Sequence, residues 1–128
     1  MIAGVGIDVV DVARIKALLD AKGERVLERL LTEEERRYCA RKPRPEQHIA
    51  VRVAAKEAVF KALSGAPSAR GIGWREIEVR TDDDGRPRLL LHGRAGQRAA
   101  ELRVNHHWLS LTHGDTVAAA VVVLETRE

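Results

Sequence analysis

The sequence predicts an α+β fold: an N-terminal strand and helices followed by mostly antiparallel strands, in one domain over residues 1–128. Three observations predict it. Residues 2–10 form an apolar run with little polar alternation; helix-spaced segments then dominate as far as Leu63; beyond Trp74, short alternating runs are divided by Gly, Asp and Pro. Helices gathered in the first half and strands in the second is the order of an α+β domain, not of a doubly wound sheet. A chain of 128 residues can bury one modest core.

The elements follow in order. Residues 2–10 read as a buried strand. Asp11 is placed to cap a helix reaching Leu19, with Val12, Ile15, Leu18 and Leu19 on one face, and Lys22-Gly23 ends it. A short helix runs from Glu24 to Leu30. Thr32 and Glu35 have capping-box spacing and predict a helix from about Glu33 to Arg41. Lys42-Pro43-Arg44-Pro45 is a loop, and the longest helix spans about Glu46 to Leu63, with Ile49, Val53, Phe60 and Leu63 as its stripe. Residues 64–73 are a glycine-rich connection. Trp74–Thr81 and Arg88–Leu91 form a hairpin around Asp83-Asp84-Gly85-Arg86-Pro87. A helix from Gly93 to Leu102 and two strands, His107–Thr112 and Thr116–Leu124, complete the chain, the last two joined by a tight turn at His113-Gly114-Asp115.

Composition narrows the function. No apolar run approaches the roughly 20 residues of a membrane span. Met1-Ile2-Ala3-Gly4 lacks a secretory pattern, and a lone cysteine, Cys39, excludes an intrachain disulfide. Together these place the expected location in the cytoplasm, with no membrane partner. The net charge is only +3, yet Arg36, Arg37, Arg41, Lys42, Arg44 and Arg52 face a single acid, Glu46, between residues 36 and 52. Such a stretch is either a solvated surface or an attractor of phosphates, nucleic acid or an acidic protein. Aromatics are few (Tyr38, Phe60, Trp74, Trp108), which argues against a base-stacking platform and against a nucleic-acid partner.

The candidate chemistry rests on two acids. Asp8 lies inside an apolar run, where an ionised carboxylate without a partner is costly. Glu57 lies mid-helix with Lys61 one turn on, the spacing of an ordinary surface pair. Brought together by a fold, the two carboxylates and the lysine would suit a divalent ion beside a phosphate. The Gly65–Gly73 loop lacks the Lys-Ser/Thr ending of a P-loop. Ser110 and His113 have no nucleophile elbow, so a hydrolase triad is not indicated. His106-His107 point to opposite faces of a strand, which rejects a metal pair.

Taken together, the chain resembles the holo-acyl-carrier-protein synthase family of 4′-phosphopantetheinyl transferases. The resemblance lies in Gly4-Val5-Gly6-Ile7-Asp8-Val9-Val10-Asp11-Val12-Ala13-Arg14-Ile15, in Arg29–Glu35, and in Arg52-Val53-Ala54-Ala55-Lys56-Glu57-Ala58 followed by Lys61-Ala62. Gly71-Ile72-Gly73, Ile77-Glu78-Val79, Gly85-Arg86-Pro87 and Ser110-Leu111-Thr112-His113 continue it in family order over nearly the whole chain. It implies transfer of phosphopantetheine from coenzyme A to a serine of an acidic acyl carrier protein, releasing adenosine 3′,5′-bisphosphate. Asp8 and Glu57 would be Mg²⁺ ligands and Lys61 would neutralise the pyrophosphate. Arg52, His113 and Gly71-Ile72-Gly73 would line the nucleotide pocket, and Arg14 would contact the carrier. The serine proton would pass to Glu57 or to a water on the metal. The short members of the family form trimers with coenzyme A between subunits, so a homotrimer is implied. Val53, where an aromatic is usual, and the inserted residues 66–70 bear on pocket shape and carrier preference. Two other readings compete: a non-catalytic nucleic-acid-binding domain built on residues 36–52, and another Mg²⁺-dependent enzyme acting on nucleotides.

Overall fold

The computed structural model describes residues 1–128 as an α+β arrangement with two antiparallel sheets. The elements are β1 (Ile2–Asp11), α1 (Val12–Lys22), α2 (Glu24–Leu30), α3 (Glu33–Ala40), α4 (Pro45–Leu63), β2 (Ile77–Thr81), β3 (Pro87–Leu91), α5 (Gly93–Glu101), β4 (His106–His113) and β5 (Val117–Glu125). The larger sheet has the order β1-β5-β4, and β2-β3 is a separate hairpin. Register runs from Gly4 opposite Leu124 to Asp11 opposite Val117 in one pair, and from His106 opposite Glu125 to His113 opposite Ala118 in the other.

Helix α4 is the centre of the molecule. Twelve of its nineteen residues are buried, so it behaves as a core helix and not as an amphipathic surface helix. One side lies on the inner face of the larger sheet, against Val10, Ala118, Ala120, Val122 and Leu124. Its alanines let the sheet come close. A methyl group on Gly6 would overlap the Ala58 carbonyl oxygen, and one on Gly4 would overlap that of Ala62. Only glycine permits this backbone-on-backbone contact.

The other side of α4 is tied to α3 and β2 by a buried ion pair. Lys56 and Glu35 have fully buried side chains, with Nζ 2.7 Å from Oε1. Lys56 also donates to the carbonyls of Trp74 (2.9 Å) and Ile77. Glu35 closes the expected capping box with Thr32 and accepts the Val79 N–H at 3.1 Å. All three Lys56 donors and both Glu35 oxygens are therefore bonded, as a buried charge requires.

Two expectations shift. Asp11 does not cap α1 with its side chain; it ends β1, and the first helical N–H, that of Val12, bonds instead to the Thr116 carbonyl at 2.9 Å. The predicted strand at Trp74 starts only at Ile77, because Trp74–Glu76 is a 3₁₀ turn. Lys56 holds the Trp74 carbonyl, and Glu76 turns back to accept from Gly73 and Arg94. Cys39 is fully buried, and burial pushes its thiol up to about 11. Residues 66–70 include a 3₁₀ turn at Pro67–Ala69, and Val53 lies in the core. No helix is long and apolar enough to cross a membrane.

Removing one member of the Lys56–Glu35 pair strands the other in the core. Lys56→Met is expected to lower unfolding free energy by about 3–5 kcal/mol in urea titrations at neutral pH. A loss below 1 kcal/mol would show that the pair does not anchor α4.

Candidate functional site

Strand alternation sets the first half of the site. Gly4, Gly6, Asp8 and Val10 point toward α4, while Val5, Ile7 and Val9 point away. Because Gly4 and Gly6 bring β1 onto the α4 backbone, the next inward residue, Asp8, arrives beside Glu57 and Lys61. Lys61 Nζ lies 3.0 Å from Asp8 Oδ1 and 2.8 Å from the Ile7 carbonyl oxygen. The expected Glu57–Lys61 helix pair is thus replaced by a bridge between elements. Glu57 instead has Arg14 Nη2 of α1 at 4.0 Å.

The electrostatics of this corner are unresolved by protein groups alone. Asp8 Oδ2 is closed off from solvent and has no hydrogen-bond donor. Burial and the Asp8 carboxyl beside it push Glu57 up to about 7, against the opposing charges of Arg14 and Lys61. A carboxyl held back from ionising beside a second carboxyl with an orphaned oxygen fits a hard divalent cation, which would favour Glu57 as the carboxylate. No group of three or more His, Cys, Asp or Glu side chains could hold a metal. The remaining oxygens would come from water and a phosphate-bearing ligand, the usual pattern for Mg²⁺.

The second half lies on another side of α4. Arg52 is five residues before Glu57, so it projects about 140° away and about 7.5 Å back along the axis. Its side chain is buried yet meets no carboxylate. Its contacts are the His48 carbonyl (3.4 Å), Thr81 Oγ1 (3.3 Å) and the Tyr38 ring (4.3 Å to its centre), and Nε has no partner. A buried guanidinium without an acid is a place for an anion. Arg52 and His113 share a cavity of about 290 Å³ with Tyr38, His48, Pro87 and Ser110. Gln47 Oε1 is 3.0 Å from His113 Nδ1, and Arg44 bonds Asp115 in the same rim.

Gly71-Ile72-Gly73 sits elsewhere, at the C-terminal end of α4. Gly71 has φ +79°, its carbonyl accepts from Arg94, and the adjoining Trp74 packs edge-on against Phe60 at 5.3 Å. Within one chain, the structure brings together Asp8, Glu57, Lys61 and Arg14, and separately Arg52 with His113. The glycine segment joins neither group. Tyr38, His48 and Thr81 had no role in the sequence reading. The first two fall in the basic stretch, where charge was the only signal, and Thr81 is brought in by β2.

Comparisons with known proteins bear on both halves. Residues 4–122 match the model of the 4′-phosphopantetheinyl transferase superfamily. A holo-[acyl-carrier-protein] synthase of Geobacter sulfurreducens is 45% identical over 125 residues, covering 98% of each chain. One of Alkalilimnicola ehrlichii is 46% identical over 129 residues, covering 100% of each. Among solved structures, the holo-[acyl-carrier-protein] synthase of Neisseria meningitidis superposes with TM-score 0.85 at 29% identity, covering 98% of this chain and 100% of that one. The Bacillus anthracis synthase in complex with CoA (3′,5′-ADP) gives 0.79 at 35% identity, covering 99% of each.

The His48 ring stands 4.6 Å from His113, and its pKa is pushed down to about 4 by burial first and then by His113, Arg52 and Lys42. The unfolded ring titrates near 6.5. The unfolded chain therefore binds more protons between these values, and the stability His48 contributes is present above about 6.5 and lost as pH falls toward 4. NMR titration of the His48 ring is expected to show a midpoint near 4. A midpoint at or above 6 would mean the ring is not enclosed by this cluster.

Proposed function

The chain belongs to the 4′-phosphopantetheinyl transferase superfamily, and on that premise we propose that it is a holo-[acyl-carrier-protein] synthase that moves 4′-phosphopantetheine from coenzyme A to a serine of an apo acyl carrier protein. The observation that carries the reading is the pairing of Asp8 and Glu57 across β1 and α4, with an orphaned carboxylate oxygen and Lys61 at 3.0 Å. In the reaction, the carrier's serine hydroxyl gives its proton to Glu57 or to water, and its oxygen forms a bond to the pantetheine-bearing phosphorus. The bond from that phosphorus to the bridging oxygen breaks, and adenosine 3′,5′-bisphosphate leaves.

This chain supplies no nucleophile, which agrees with the missing triad. Asp8 and Glu57 would hold Mg²⁺, whose chemistry when bound is to offset charge on the pyrophosphate. Lys61, fixed by Asp8 and the Ile7 carbonyl, presents a preorganised cation to the same phosphates. Arg52 and His113 bind the phosphates of the nucleotide half, with His113 oriented by Gln47. Gly71-Ile72-Gly73, apart from both groups within one chain, would line the nucleotide pocket only across subunits. Arg14, whose side chain is 65% exposed beside Glu57, is placed to receive an acidic carrier at the reacting centre.

A homotrimer would reconcile the two halves. Arg52 and Glu57 face different sides of α4, so one coenzyme A spanning both would need a second copy of the chain. A surface for that copy exists on the outer face of the β1-β5-β4 sheet. Val5, Ile7, Val9, Trp108 and Val117 are 45–62% exposed there, with Arg127 over the Trp108 ring. A contiguous apolar patch of this kind marks an interface. The proposed location is the cytoplasm.

Intact-mass analysis of an apo carrier incubated with coenzyme A and Mg²⁺ is expected to show the gain of one phosphopantetheine. Asp8→Asn and Glu57→Gln should each slow it by at least about 100-fold. No gain on carriers that another transferase modifies would sink the assignment. For the assembly, Ile7→Asp with Val9→Asp should convert a trimer to monomers in size-exclusion light scattering. Mixing inactive Asp8→Asn and Arg52→Ala chains should restore about a quarter of wild-type transfer, because statistical trimers rebuild intact sites between subunits. Absence of any recovery after confirmed subunit exchange would place the whole site in one chain.

A further inference from the structure

Helix α2 covers the core only in part, through Leu27 and Leu30. None of its seven residues is buried, although it carries Val26, Leu27 and Leu30. The space it leaves, between α1, α2, α3 and the start of α4, is a cavity of about 710 Å³. That lies within the roughly 300–1,000 Å³ of small-molecule sites. Its apolar walls are Leu19, Leu27, Leu31, Cys39, Pro45 and Ile49. Leu31, Cys39 and Ile49 are fixed core residues, so the floor is rigid. The cavity is separate from the transfer site: Leu19 is turned about 140° around α1 from Arg14.

Four charged residues line it: Glu24, Glu33, Arg36 and Arg37. Arg37 is occupied by Glu33 at 2.5 Å and Glu34 at 3.0 Å. Glu24 lies in the first turn of α2, where the helix N-terminus favours a carboxylate. Arg36 is left unanswered: its Nε is shut off from solvent and has no hydrogen-bond partner, and no carboxylate pairs with its guanidinium. An apolar cavity with one unpaired guanidinium is complementary to an apolar chain ending in an anion.

We propose that this cavity binds a single-chain apolar carboxylate of the fatty-acid type. The hydrocarbon chain would lie between α2 and the Leu31–Cys39–Ile49 floor, covering the apolar side of α2. The carboxylate would pair with Arg36, since guanidinium and carboxylate match in charge and in planar geometry. A neutral alcohol of the same length leaves Arg36 unpaired, and a quaternary ammonium sets like charges together.

Calorimetric titration of the full-length chain with decanoate, kept below micelle formation, tests this. Saturable binding of one decanoate per chain is expected. Arg36→Gln should weaken it by about tenfold or more, as loss of a charge-assisted hydrogen bond does. Decan-1-ol and decyltrimethylammonium should bind the wild-type chain at least about tenfold more weakly for the same reason. Leu27→Trp, which places an indole in the cavity, should abolish binding. If that variant does not fold, Arg36→Gln, at a half-buried position of α3, decides the matter. Absence of saturable binding, affinity unchanged in Arg36→Gln, or decan-1-ol binding as tightly as decanoate would each overturn the proposal.

Discussion

The contact between β1 and α4 is the constraint on which the rest depends. Two glycines on the inward face of the strand meet two alanine positions of the helix, backbone to backbone. Interiors are packed to crystal density, so a single added methyl here has no free volume to occupy and must displace the strand. That displacement would move Asp8 relative to Glu57 and Lys61. The Gly4-x-Gly6-x-Asp8 alternation is therefore a mechanical device: the glycines set the distance, and the next inward residue delivers the carboxylate.

The buried Lys56–Glu35 pair does comparable work on the opposite side of α4. It joins α3, α4 and the start of β2 through four hydrogen-bonded groups: the Lys56 ammonium, the Glu35 carboxylate, the Trp74 and Ile77 carbonyls, with the Val79 N–H as a fifth member. A charge pair without solvent is a weak source of net stability but a strong selector of geometry, because any misalignment leaves an uncompensated ion. Here it fixes how the β2-β3 hairpin meets α4, and with it Thr81 against Arg52. One helix thus carries two functional faces, each aligned by a different class of interaction: close apolar packing on one side, a satisfied ionic network on the other.

These faces carry opposite electrostatic debts. Asp8 and Glu57 form a site of adjacent carboxyls with one oxygen unanswered even beside Lys61 and Arg14; Arg52 is a buried cation with no acid. A ligand with phosphates and an accompanying divalent cation answers both, which is the physical logic of the transferase reading. The uncovered apolar face of the β1-β5-β4 sheet belongs to the same logic, since it lies on the strand that delivers Asp8 and on the strand that ends in His113.

The sequence by itself determined most of the element order, and for local reasons. The Thr32/Glu35 capping box, the alanine-rich helix before Leu63 and the Asp-Gly-Arg-Pro turn are short-range signals that tertiary packing had no cause to override. Its motifs also marked Asp8, Glu57, Lys61 and Arg52 as the residues of interest. It could not tell that Lys61 bonds Asp8 instead of Glu57, because i, i+4 spacing makes the local pair look sufficient. It gave Glu35 only a capping role, since its second partner is 21 residues away and its third 44. Trp74 read as strand because its side chain fits the alternation, while a lysine on a distant helix captures its carbonyl. The five-residue spacing already turns Arg52 and Glu57 to different sides of α4; tertiary structure alone decided that Asp8 and Arg14 meet one of them and Tyr38 and Thr81 the other. Residue order states which side chains share a helix, but only the elements packed around that helix decide what each face can bind.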